Sequence, residues 1–311
     1  MNAQAAIVVA LKLRIESSYE FKEADMSNII LIAETGSDVP TEIAEQYGIQ
    51  LVPMHVSFGT ETLDDGAFPV ERIYEHYSET GTIPKTSGCV PDDFTKAFND
   101  IYAEWPEKQI LHLAYSAATT CSYQSAVLAA AAYEQGFITS IDTKQVSVGQ
   151  AAVVIELAKL LEANPELPLQ DAVNFANKLS KRVHMCFLPD KLEYLRAGGR
   201  VSNVAYLGSR ILSLHPRIEI VDGLLIANKK YRGNLTKVVP RLIREYTQEH
   251  NLNKECLYLI WSAGLSDEVR QMAETEAKEC GFQKVIWFST GCVITTHGGP
   301  GVFGMVGISD E

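Results

Sequence analysis

Residues 109–133 carry the decisive pattern. They read Gln109-Ile110-Leu111-His112-Leu113-Ala114, then Tyr115-Ser116-Ala117-Ala118-Thr119-Thr120-Cys121-Ser122, then an Ala-rich run from Tyr123 to Tyr133. A short apolar run that ends in hydroxyl and turn residues reads as a strand. The run behind it reads as a helix, because alanine gives up no side-chain entropy in one. The same order of strand, polar loop and helix recurs twice. Ile29–Ala33 leads through Glu34-Thr35-Gly36-Ser37-Asp38 into a helix from about Pro40, a residue suited to a first turn. Phe137–Ile141 leads through Asp142–Ser147 into a helix that runs to about Leu161. Such alternation predicts a mostly parallel sheet with helices on both faces. Ile49–Phe58 reads as one further strand between the first two units.

The second half has a different texture. Pro165 and Pro168 punctuate the chain, and the boundary is placed there. Asp222-Gly223, between Arg217–Val221 and Leu224–Ala227, is a strong hairpin signal. Helices are expected from about Leu235 to His250 and from Ser266 to Cys280, and strands at Cys256–Trp261 and Lys284–Phe288. The expected fold is therefore α/β with two domains. Residues 28–168 form a mostly parallel sheet flanked by helices, and 169–311 form an α+β domain with a mixed or antiparallel sheet. Residues 1–27 read as an extension outside the fold. Ala5–Leu11 is apolar but lacks the basic flank and clean cleavage site of a signal peptide, and the domain-like sequence begins after Met26.

Composition narrows the function. The 311 residues are 46% hydrophobic and 21% charged, as in an ordinary globular protein with a large core. A net charge of −12 argues against non-specific nucleic-acid binding, which needs cations to neutralise phosphates, and against docking on anionic lipid. The small basic cluster of Lys229, Lys230 and Arg232 reads as a solvated strand face. Six scattered cysteines form no CxxC pair and read as reduced thiols of a cytoplasmic protein. No apolar run reaches the roughly 18 residues of a membrane span.

Three polar segments could hold chemistry. Ser116–Ser122 lies behind a strand and ahead of a helix, where free N–H groups and hydroxyls suit an anion; plain N-capping accounts for the same residues. Thr86-Ser87-Gly88-Cys89 reads as a second polar loop, or simply a turn before a helix. Thr295-Thr296-His297-Gly298-Gly299-Pro300-Gly301 reads as a third, with glycines that would let backbone approach a ligand. His297 could equally be structural. Catalytic templates are missing: there is no nucleophile elbow, phosphate-binding loop or His/Cys metal spacing. The enzymatic alternative is a thiol-dependent acyl hydrolase or transferase, with Cys89 or Cys121 as nucleophile and His297 as base. Its rival is a cysteine that only fills space.

Taken in order, these segments resemble the DegV family from about residue 28 to 308. The resemblance rests on Glu34-Thr35-Gly36-Ser37-Asp38-Val39-Pro40, on Val52-Pro53-Met54 with Phe58-Gly59 and Asp65-Gly66, and on Thr86-Ser87. It continues through Ser116–Ala126, best at Tyr123-Gln124-Ser125-Ala126, and Asp142-Thr143-Lys144 with Ser147 and Gly149. His297 with Gly299-Pro300-Gly301 completes it. Its most specific segment is Leu192-Glu193-Tyr194-Leu195-Arg196-Ala197-Gly198-Gly199-Arg200-Val201-Ser202.

The resemblance implies a non-catalytic carrier that binds one long-chain fatty acid in a tunnel between two domains, with no cofactor. It also implies that Thr86, Ser116 and His297 surround the carboxylate, with Ser87 and Thr120 beside them. A separate fatty acid kinase would receive the ligand, and Arg196 and Arg200 would hold the interdomain structure or face that partner. The chain departs from the family pattern at Glu34, Cys89, Val90, Ala117, Ala118, Thr120 and Cys121, which implies fewer hydroxyl donors than usual. Roughly 15 buried methylenes contribute on the order of 12 kcal/mol before association costs. The head group then needs orientation more than strength.

Overall fold

A computed structural model describes residues 27–133, 137–201 and 214–310. The proposed extension, up to residue 26, and Ser202 of the Leu192–Ser202 segment lie outside the described residues.

The first sheet is parallel, in the order β2-β1-β6-β7, with β1 at Ile29–Glu34, β2 at Gln50–Val52, β6 at Gln109–Ala114 and β7 at Ile138–Asp142. All of β1 is buried, as expected for a central parallel strand. Around this sheet lie α1 (Thr41–Tyr47), α3 (Pro91–Glu104), α4 (Ser122–Ala130) and α5 (Ser147–Ala163). Helix α5 is apolar almost all round, the mark of a helix with protein on every side. It packs against β1 and β6 on one side and on β8 (Val183–Leu188), β11 (Cys256–Trp261) and β13 (Phe303–Ile308) on the other.

The run Ile49–Phe58 is not one strand. Pro53 offers no N–H to a ladder, and the chain leaves the parallel sheet there. Beyond it, β3 (His55–Phe58) forms a separate antiparallel sheet with β4 (Glu61–Asp64) and β5 (Lys85–Ser87). Thr86-Ser87 therefore belongs to a short strand, not a loop. Helix α2 (Glu71–Thr80) connects β4 to β5.

The remaining strands form one six-stranded sheet in the order β10-β9-β8-β13-β11-β12. Its other members are β9 (Leu214–Val221), β10 (Leu224–Arg232) and β12 (Lys284–Ser289). Every pairing is antiparallel except β11 with β12. Asp222 and Gly223 both take positive φ, 49° and 83°, and close the expected hairpin between β9 and β10. The helices here are α6 (Leu169–Ser180), α7 (Leu192–Gly198), α8 (Leu235–Glu249), α9 (Asp267–Glu279) and α10 (Cys292–Gly298). Asn234 caps α8 by accepting the Thr236 N–H at 3.0 Å, and Ser266 caps α9 from Val269 at 3.3 Å.

Two further readings change. Residues 295–298 are the last turn of α10, so His297 sits on a helix and not in a loop. The basic cluster on β10 is not simply solvated, because Lys229 Nζ lies 2.8 Å from carboxylates of both Glu245 and Glu249 on α8.

Candidate functional site

The carboxyl ends of the parallel strands face the six-stranded sheet, the place where open α/β sheets receive ligands. Between them lies a cavity of about 900 Å³, its open mouth included. The six-stranded sheet supplies much of the apolar wall, through Met185 and Phe187 on β8, Leu225 on β10 and Ile260 on β11, and Met54 and Val302 add to it from connecting segments. Thr86, Ser87, Thr119, Thr120, His297 and Arg200 line it with polar groups. A mostly apolar hollow with a few convergent polar groups is the usual form of a small-molecule site.

The central polar contact joins Thr86 Oγ1 on β5 to His297 Nε2 on α10 at 2.7 Å. The other ring nitrogen, Nδ1, is buried with no hydrogen-bond partner among the described residues and abuts Gly198, where a Cβ would come within 2.1 Å of it. Burial, with Arg200 nearby, lowers the His297 pKa to about 4, so the ring is neutral at ordinary pH. An unpaired lone pair at Nδ1 costs less than an orphaned N–H. The proton therefore belongs on Nε2, which donates to Thr86 and leaves the Thr86 hydroxyl hydrogen for a ligand.

Side-chain contacts bring the two polar segments around Thr86 and Thr120 together. Ser122 Oγ accepts the Cys89 N–H at 3.1 Å and lies 3.1 Å from Thr120 Oγ1. Gly88 permits the approach, since a Cβ there would lie 2.1 Å from Thr120 Oγ1. Of the expected head-group residues, Thr86, Ser87, Thr120 and His297 meet at the cavity. Ser116 sits apart from its wall, fully buried, and donates from Oγ to the Gly223 carbonyl at 2.7 Å. Arg200 lines the cavity, whereas Arg196 lines a separate depression with Asp190, Glu193 and His215.

Buried carboxylates set the frame of the site. Asp65 Oδ1 accepts the N–H groups of Cys292 and Val293 at 2.9 and 3.2 Å, and Asp38 Oδ1 accepts that of Gly291 at 2.7 Å, so both acids anchor the start of α10. Asp38 also accepts a short hydrogen bond from Ser147, a cavity residue. Burial drives the Asp38 pKa up to about 8 against these hydrogen bonds, and the neighbouring Asp65 adds to the rise. Glu34 behaves in the opposite way. Burial works against its charge, but His112, the Tyr115 N–H and Gln150 together hold its pKa below the usual value. This network fixes Tyr115, whose side chain belongs to the cavity wall.

Tyr115, Ser147 and Met54 were not singled out as site residues by the sequence. Tyr115 directly precedes the recognised loop, and Ser147 lies inside the Asp142–Gly149 segment, so position beside a strand end was the available signal.

The thiols are poorly placed for catalysis. Cys89 is fully buried, its Sγ donates to the Pro53 carbonyl at 3.2 Å, and burial with the charges of Glu34 and Asp93 pushes its pKa far above the ordinary thiol value. Cys121 is exposed, and neither sulfur residue is part of the cavity lining. The one cluster among the described residues with metal-ligand geometry, Glu219, Glu249 and His250, already has Arg217 paired to both carboxylates and Lys229 to Glu249. No helix among the described residues is long and apolar enough to cross a membrane.

Comparison with known proteins gives a consistent result. The DegV family model matches residues 28–310. A DegV domain-containing protein of Clostridium perfringens is 26% identical over 278 residues, which cover 89% of this chain and 97% of that one. A DegV lipid binding protein of Thermotoga maritima superposes with a TM-score of 0.78 at 26% identity, covering 91% of this chain and 99% of the other. A second Thermotoga maritima protein, described as revealing fatty acid binding function, gives 0.77 at 25% identity, with 90% and 99% covered. With the matched region running from the first strand to the last, this chain belongs to the DegV family.

Proposed function

We propose that the protein is a carrier that binds one long-chain fatty acid, with its tail between the lobes formed by residues 28–168 and 169–311. The observation that carries this reading is the cavity itself, apolar on most of its wall and polar where Thr86 meets His297. The carboxylate accepts hydrogen bonds from the Thr86 hydroxyl, supported by Ser87 and Thr120, and Arg200 supplies positive charge on the same wall. Roughly 15 methylenes contribute on the order of 12 kcal/mol of burial, enough to offset association costs without an ion-pair clamp. The lipid and fatty acid binding of the two Thermotoga maritima relatives supports the ligand class.

The carrier presents its carboxylate to a fatty acid kinase in the cytoplasm, which transfers the γ-phosphoryl group of ATP to a carboxylate oxygen and releases ADP. The protein supplies orientation and shelter, and the kinase supplies catalysis. Native mass spectrometry of the purified protein tests ligand binding: a bound mass of one long-chain fatty acid is expected. Protein stripped of lipid that gains no thermal stability from added hexadecanoate or octadecanoate would rule the reading out.

A further inference from the structure

The tip of the β9–β10 hairpin reaches out of the six-stranded sheet and seats itself on the loops behind β6 and β7. Its contact is specific. Ser116 Oγ donates to the Gly223 carbonyl at 2.7 Å, and both residues are buried. A Cβ at position 223 would lie 2.5 Å from Ser116 Oγ, 3.4 Å from Ala118 Cβ and 3.6 Å from Lys144 Cβ, so only a glycine turn lets the backbone come this close. The conformation agrees, with φ of 83° at Gly223.

The hairpin is also part of the cavity. Leu225 follows the turn on β10 and lines the cavity, and it bridges to Val201, the neighbour of Arg200. Among the described strands β10 is the outermost of its sheet, and Val221 and Leu224 on either side of the turn are exposed. Among the described residues the tip itself is largely solvent-facing, with Asp222 and Leu224 exposed, and the Ser116 hydrogen bond seats it; a solvent-facing tip opens at lower cost than a core strand. On its other side, Ser116 shapes the cavity wall: its carbonyl accepts the N–H groups of Thr119 and Thr120 at 3.0 and 3.3 Å.

We propose that Ser116 and Gly223 form a latch that closes the β9–β10 hairpin over the cavity, and that this latch opens for the acyl chain to enter and leave. Ser116 is then a positioning residue that acts through the hairpin, not a ligand donor. The inference rests on the fatty-acid reading for its ligand but not for its motion.

The test uses the full-length protein stripped of lipid, with cis-parinaric acid as a fluorescent fatty-acid probe in stopped flow and hydrogen exchange of residues 218–227 without ligand. In Ser116→Ala, association and dissociation rates both rise about threefold to tenfold, as the loss of one neutral hydrogen bond predicts, and hairpin exchange accelerates. Gly223→Ala disturbs the same contact from the other side and gives the same direction, and the double variant shows less than the product of the two effects. Faster release with unchanged association would mark Ser116 as a ligand contact and overturn the latch. Unchanged hairpin exchange in Ser116→Ala would overturn it as well. Failure of the wild type to take up the probe would sink the fatty-acid reading alone, and the exchange measurement would still decide whether the hairpin is latched.

Discussion

Thr86 and His297 are 211 residues apart in the chain and 2.7 Å apart in the fold. One sits on a strand of the small antiparallel sheet, the other on the last turn of a helix anchored by Asp38 and Asp65. Their contact makes the polar corner of the cavity and directs the Thr86 hydroxyl hydrogen away from the ring. Thr86→Val keeps the shape and removes the donor. Fatty-acid affinity by titration calorimetry should fall about tenfold or more, the scale of a hydrogen bond to a charged acceptor, whereas Thr86→Ser should keep most of it. Equal affinity in all three proteins would show that the carboxylate lies elsewhere.

Gly198 lies against Nδ1 of His297, and a methyl there would come within 2.1 Å. Gly198→Ala must displace the imidazole or helix α7. A stability loss of about 1–3 kcal/mol in urea unfolding is expected from overpacking, together with weaker fatty-acid binding. A variant as stable as the wild type would mean that the two helices separate freely.

The neutral state of His297 has a pH signature. Its folded pKa is near 4, below the ordinary 6.5, so the unfolded chain takes up the proton first as pH falls. The stabilising contribution is full above about 6.5 and is lost as pH drops through 4. The His297 resonance, assigned by its absence in His297→Gln, should titrate near 4 by NMR. A midpoint at 6 or above would contradict the neutral donor role.

Asp38 has the opposite shift in the direction that matters for an acid. Its folded pKa is about 8 against an ordinary 3.8, so the folded state holds the proton longer. Its contribution is full below about 3.8, declines as pH rises, and is gone above about 8. Asp38→Asn should flatten the fall in melting temperature between pH 6 and 9, since the amide can still meet Ser147 and the Gly291 N–H. An Asp38→Asn profile parallel to the wild type would refute this assignment.

The cysteines should be dispensable for binding. With Cys89 buried and its thiol pKa raised, no thiolate faces the cavity. The Cys89→Ala/Cys121→Ala protein should bind cis-parinaric acid within about threefold of the wild type. Wild-type hydrolysis of an acyl thioester that disappears in this variant would revive the enzymatic alternative.

Local pattern revealed much of this protein. The runs at Ile29–Ala33, Gln109–Ala114 and Cys256–Trp261, each bounded by turn residues, announced strands, and Asp222-Gly223 announced its hairpin, because these signals depend on neighbours in the chain. The sequence pattern does not mark strands β4, β5, β8 and β13. Glu61–Asp64 and Lys85–Ser87 are short and polar, and Phe303–Ile308 carries two glycines, so they hold strand form only through their partners. Pro53 was visible, but its effect of sending the chain into another sheet was not.

The sequence by itself determined the strand–loop–helix units, the place where strand ends would gather polar residues, and the identity of Thr86, Ser87, Thr120 and His297 as candidates. Only the tertiary structure decided that Ser116 turns toward Gly223, that Arg200 and Arg196 part company, and that Cys89 is sealed from the cavity. Spacing along a chain fixes backbone form because those forces are local. The direction a side chain faces depends on which distant surface packs against it, as the 107 residues between Ser116 and Gly223 make plain.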